Sequence, residues 1–148
     1  MASQGVEYAL RAILMLANSS PLSMNTRTIA LKGGMPFHYL HKMMHKLVRA
    51  QLIVPRTGSQ GGYTLARPDH RITLWDVYCA VESLPKYSGC LIEASHSEMY
   101  CPLHSRLTVA FGMMQEYLSN STVADVLSEN PNCLSRPISK EKQLPESE

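Results

Sequence analysis

Apolar residues recur at three- and four-residue spacing in three stretches of the chain, and between the second and third the pattern gives way to short extended runs. Near the N-terminus Val6, Leu10, Ile13, Leu14 and Ala17 fall on one face, which predicts a core-facing helix. From Pro36 to about Ala50, Leu40, Met43, Met44, Leu47 and Val48 form a second stripe, while His38, His41, Lys42, His45, Lys46 and Arg49 lie mostly elsewhere. This helix should pack on one side and be positive on the other. A third stripe, Leu103, Leu107, Ala110, Met114 and Leu118, runs from Pro102 to Leu118 with Phe111 and Tyr117 beside it.

Punctuation between the stripes orders them. Asn25 can cap a helix from Thr26 to Lys32 by accepting an unpaired first-turn N–H, and Gly33 and Gly34 then end it. Pro36 suits the first turn of the next helix because its missing N–H would have had no partner there. Two helices joined by a tight glycine turn form a helix-turn-helix pattern. Leu52, Ile53 and Val54 read as a strand, Gly58, Gly61 and Gly62 as a turn, and Tyr63, Thr64 and Leu65 as the returning strand, so a β-hairpin wing follows. Thr73 to Glu82 reads as another short helix. The expected fold is mainly α with a small β-hairpin wing (α+β), a winged helix-turn-helix followed by a long helix. The divisions are a DNA-binding unit over residues 1–82, a loop over 83–101, the long helix and a C-terminal helix over 102–129, and a flexible, Pro-rich tail over 130–148.

Charge sharpens this picture. Residues 24–71 hold eight Lys or Arg against the single acid Asp69, a net +7, while the whole chain is +2, which leaves −5 for the remainder. A solvated lysine face is the plain alternative, but such segregation is the footprint of a phosphate-binding surface. The N-terminal part of a recognition helix enters the major groove, which makes His38, Tyr39, His41 and Lys42 the base-reading candidates, with packing beneath the helix the alternative for Tyr39. Lys46, Arg49 and, in the wing, Arg56 and Thr57 are the phosphate candidates, and Arg67 stands at the wing's exit.

Composition excludes several classes. A chain of 148 residues, 45% apolar and 18% charged, is one domain's worth of sequence. No apolar run reaches the roughly 18 residues that span a bilayer, and no signal pattern opens the chain, so a cytoplasmic protein without a membrane partner is expected. Four cysteines there read as thiols or metal ligands rather than disulfides. There is no Gly-rich phosphate loop, nucleophile elbow or paired carboxylates, hence no sign of an enzyme.

The runs "VEYALRAILMLA", "YLHKMMHKLVRAQLIVPRTGSQGGYTLARP", "ITLWDVYCAVE" and "CPLH" resemble the Rrf2 family of bacterial winged-helix transcription regulators over about residues 3–128. The resemblance implies a homodimer, usually a repressor, that binds palindromic double-stranded DNA operators, with the long helix crossing its copy.

A candidate sensor lies in "GCLIEASHSEMYCPLH". Cys90 and Cys101 bracket a polar loop, His96 lies between them and His104 three residues beyond; thiolate suits iron-sulfur clusters or zinc, and imidazole can replace it. Cluster-binding members usually carry three cysteines here. Cys90 and Cys101 match the outer pair, His96 falls near the middle one, and His104 matches a histidine that follows the last cysteine in some members. Glu7, just before "ALR", stands where some members place an acidic cluster ligand, with a helix-dipole partner as the alternative role. Arg11 stands where a histidine ligand occurs in others, and it cannot ligate. Mixed ligation favours a two-iron (2Fe–2S) cluster over a four-iron (4Fe–4S) one. Two alternatives stay open: a cluster-free regulator that signals through thiols or a partner protein, and a structural zinc site. Cys79 reads as a buried core thiol, and Cys133 has no assigned role.

Overall fold

The structure, a computed structural model, describes residues 3–82 and 102–131. Helix α1 (Gln4–Ser19) starts at Ser3, whose side chain accepts the N–H of Val6, and it forms the centre of the core. Val6, Ile13 and Leu14 are buried as the spacing predicts, yet so are Tyr8, Ala9, Ala12, Met15 and Leu16, while Leu10 and Ala17 are only half-buried. The single-face expectation fails because α1 is surrounded by the other elements as they follow along the chain.

Asn25 caps α2 (Thr26–Gly33), its Oδ1 accepting the N–H of Thr28 at 2.8 Å. Gly34 closes that helix in the left-handed conformation, φ 64°, where its N–H reaches the carbonyls of Ala30 and Leu31. Helix α3 (Phe37–Arg49) begins one residue later than expected, with Pro36 at the capping position, where its side chain has no acceptor for the first-turn N–H groups. Leu40, Met43, Met44 and Leu47 are buried and hold α3 against α1 and α2.

Strand β1 (Ile53–Arg56) pairs antiparallel with β2 (Gly62–Leu65) in the register Ile53 with Leu65, Val54 with Thr64, Pro55 with Tyr63 and Arg56 with Gly62. The first strand starts later than expected and runs through Pro55 and Arg56, because Leu52 is buried in the turn that leaves α3. Met24 bridges Tyr63 through two backbone hydrogen bonds of 3.0 and 3.1 Å, which fastens the wing to the chain entering α2.

A short 3-10 turn (Asp69–Arg71) leads to α4 (Leu74–Val81), capped by Thr73 and Asp76, each side chain bonding the other's backbone N–H at 3.0 Å. Val77 and Val81 face the core. Cys79 is exposed rather than buried, since two residues along a helix turn a side chain to the opposite side. Helix α5 (Pro102–Ser119) meets α4 where Trp75 packs edge-on against Phe111, ring centroids 6.0 Å apart. Helix α6 (Val123–Glu129) returns to α1, with the N–H of Val123 bonded to the carbonyl of Ile72 at 2.9 Å. Between them, α5 has no buried residue.

Candidate nucleic-acid interface

The helical periodicity of α3 turns its apolar stripe inward and leaves His38, His41, Lys42, His45, Lys46 and Arg49 exposed. No acidic residue stands in its first turn, and Lys46 and Arg49 occupy its last. The exposed side chains differ in what holds them. Tyr39 leans against α1, its ring edge-on to Tyr8 at 5.6 Å and its hydroxyl so close to Gly5 that a Cβ there would lie 3.0 Å from it, which is the packing role, although the residue is still 39% exposed. Phe37 stacks on His41 at 5.7 Å with an interplanar angle of 16°, and His41 and His45 bring their Nε2 atoms to 3.0 Å. Lys46 donates to the carbonyl of Val81 at 2.8 Å, at the C-terminal end of α4, where the helix dipole favours a cation. Lys42 and Arg49 are exposed along the same helix.

The wing lies next along the chain and packs against α3 through β1. Arg56 donates from Nε to Thr64 Oγ1 at 3.1 Å, which lays its guanidinium along the hairpin, and Thr57 is exposed just beyond. Arg67 approaches Asp76 at 4.0 Å, a loose contact between exposed groups. Ser23 donates to the carbonyl of Gln60 at 2.6 Å and adds a second tie between the wing's turn and the chain before α2.

Of the sensor candidates, Cys90, His96 and Cys101 lie outside the described residues. Glu7 is exposed and pairs with Arg11 one turn along α1 at 3.2 Å. His104 is half-buried in the first turn of α5, its carbonyl accepting the hydroxyl of Thr108 at 2.9 Å. Among the described residues, no three His, Cys, Asp or Glu side chains stand together as a metal-binding group. Partial desolvation at the surface of α4 and then the negative charge of Asp76 push the exposed Cys79 thiol above its ordinary pKa, which makes it a weak nucleophile.

The family model described as "Rrf2: Iron-dependent Transcriptional regulator" matches residues 2–129. The chain belongs to the Rrf2 family. Among its relatives, YwgB of Bacillus subtilis, described as an HTH-type transcriptional regulator, is 34% identical over 105 residues, which cover 68% of this chain and 67% of that protein. A second HTH-type regulator by description, from Aquifex aeolicus, is 26% identical over 130 residues, covering 85% of this chain and 90% of its own. The fold is similar to that of T. potens IscR, with a TM-score of 0.73, 25% identity and 87% of each chain covered. CymR of B. subtilis, titled the global cysteine regulator, gives a TM-score of 0.70 at 23% identity, covering 88% of this chain and 98% of its own. Like its family, this Rrf2 protein is a DNA-binding transcription regulator and not an enzyme. No helix among the described residues is long and apolar enough to cross a membrane.

Sequence reasoning passed over two features of the interface. His45 was placed on the polar face but not among the DNA candidates, although its four-residue spacing from His41 is visible in the sequence. The Lys46 contact with Val81 spans 35 positions and leaves no local signal.

Proposed function

We propose that this Rrf2 regulator acts in the cytoplasm as a homodimeric repressor that reads a palindromic operator through α3 and the wing. The observation that carries the reading is α3 itself, whose apolar side is buried and whose imidazole and lysine side is exposed, with Lys46 tied back to Val81. His38, Tyr39, His41 and Lys42, on its first half, are assigned to base edges, and Lys46, Arg49, Arg56 and Thr57 to phosphates. Lys46 must leave the carbonyl of Val81, or share its protons with it, to make that contact. The exposed apolar surface of α5 is assigned to the second copy, which places two reading heads on one symmetry axis. A selection from randomised duplexes tests the reading. Enriched sequences should be palindromes with half-site centres about 34–36 Å apart or a multiple of that. Enrichment of unpaired single sites, or of nothing, would count against it.

For the switch, the segment over 83–101 is assigned to sensing. The donor chemistry of this chain fits a 2Fe–2S cluster of mixed ligation: Cys90 and Cys101 would hold it with His96, His104 or Glu7. Such a group supplies an oxidant- and nitric-oxide-labile link when bound. Glu7 keeps Oε2 outside its exposed ion pair with Arg11, a contact too weak to withhold the carboxylate from that role. Because the Val81 carbonyl that holds Lys46 lies at the entrance to this segment, rearrangement there reaches the last turn of α3 directly. A coupling of this kind is typically about 1–3 kcal/mol, or roughly 5- to 150-fold in operator affinity. Anaerobically purified protein should be coloured, carry iron and sulfide, and bleach in Cys90→Ala and Cys101→Ala. Colourless protein without iron or sulfide after reconstitution would move the switch to zinc, thiol chemistry or a partner protein.

A further inference from the structure

We propose that His41 and His45 form a two-ligand site for a borderline divalent transition-metal ion, Zn2+ being the reference, on the exposed face of α3. Their four-residue spacing puts the two rings one turn apart on one side of the helix, and their Nε2 atoms are 3.0 Å apart. Two nitrogens bound to one zinc ion at about 2.0–2.1 Å, at angles from right to tetrahedral, stand about 2.8–3.4 Å from each other. The free side chains therefore already hold the chelating separation.

Two further features favour a shared cation over a simple hydrogen bond. A straight N–H···N bond would hold the ring centroids a little over about 5 Å apart, since each centroid lies behind its nitrogen. The centroids are 4.5 Å apart with the planes at 84°, so the N–H···N bond that joins the rings in the free protein is bent, and an ion bound by both nitrogens would displace its proton. Phe37, stacked on His41 with ring planes 16° apart, holds one of the two rings in place before any ion arrives.

The ligand types select the ion class. Imidazole nitrogen suits zinc, copper and nickel, whereas magnesium and calcium require oxygen. Among the described residues no third protein donor joins the pair, so the ion keeps open positions and exchanges with solvent, unlike a closed structural site. The charge of neighbouring Lys42 also opposes tight binding, while the Lys46 ammonium is held away at Val81. Where α3 reads DNA as proposed above, an ion shared by His41 and His45 takes the lone pair that His41 would offer to a base edge. Zinc and the operator then compete, and each weakens the other by the same factor.

Site-resolved NMR of the tag-free full chain with 15N-labelled histidine, titrated with Zn2+ and separately with Mg2+, tests the site without any DNA. The Nε2 signals of His41 and His45 should move together with zinc and saturate, should ignore magnesium, and His45→Ala should abolish the response of His41. Both side chains are exposed, and unchanged amide spectra will show that the variant folds. Silence of both rings in millimolar zinc, or a His41 response that survives His45→Ala, would overturn the site. In a parallel operator titration, zinc should weaken binding by wild type and leave His45→Ala unaffected; equal behaviour of the two proteins would overturn the competition.

Discussion

At Gly62 a Cβ would lie 2.5 Å from the carbonyl carbon of Met24 and 2.7 Å from the nitrogen of Asn25, both backbone atoms that cannot swing aside. The absence of a side chain lets the wing close onto the chain that caps α2. Gly62→Ala should therefore cost about 1–3 kcal/mol in denaturant unfolding, the usual range for overpacking, and a change within error of zero would show that the wing is free to shift. In the sequence Gly62 reads as turn freedom alone, because the backbone it meets comes from 37 to 38 positions earlier. The same limit explains Lys46, whose position on the polar face is legible while its bond to Val81 is not. Cys79 failed for a different reason. Its exposure follows from the stripe set by Val77 and Val81, so the residue type outweighed a periodicity that was already present.

Elements were more legible than contacts, because caps and periods are local. Asn25, Gly34 and the stripe of α3 delimit the helix-turn-helix within a residue or so of where it lies. Helix α6 rests on the same logic: Thr122 donates both its N–H and its hydroxyl to Asp125 Oδ2, at 2.8 and 2.7 Å, and accepts the N–H of Asp125 at 3.2 Å. The backbone bond first, and the hydroxyl bond second, hold the Asp125 carboxyl below the usual carboxylate range. A depressed carboxylate adds stability that is complete above its unfolded pKa and is lost as pH falls through the folded one. Melting temperatures of wild type and Asp125→Asn should thus differ at neutral pH and converge as the pH falls through and below the usual carboxylate range. A gap that stays constant over that range would mean that the charge of Asp125 contributes nothing to the cap. What the period could not tell for α1 was how many neighbours it has, since one stripe is all that a single face requires and this helix is covered on more than one.

On the scale of the molecule, the unequal treatment of two amphipathic helices defines the architecture. Helix α3 buries its stripe within the chain. Helix α5 does not: Leu103 and Met113 are each 66% exposed and Tyr117 is 74% exposed, while Met114 and Leu118 are half-covered. Exposed apolar surface on that scale marks an interaction site, and the homodimer proposed above supplies its cover. The positive segment is equally uneven, with +7 gathered in residues 24–71 of a chain whose net charge is +2. Fold class and the basic amphipathic helix α3 were visible from these patterns; the candidate sensor was visible only as donor types, and Cys90, His96 and Cys101 lie outside the described residues.

The central claim is that the open face of α3 reads sequence while its end holds phosphate. It is tested most directly by titrating a selected operator and a scrambled duplex at several salt concentrations with wild type, Lys42→Ala and Arg49→Ala. Lys42→Ala should lose about 1–3 kcal/mol on the operator and little on the scrambled duplex, whereas Arg49→Ala should weaken both and reduce the log-log salt slope by about 0.9. Operator affinity unchanged in Lys42→Ala, with the wild-type preference intact, would contradict the assignment of α3 as the reading element.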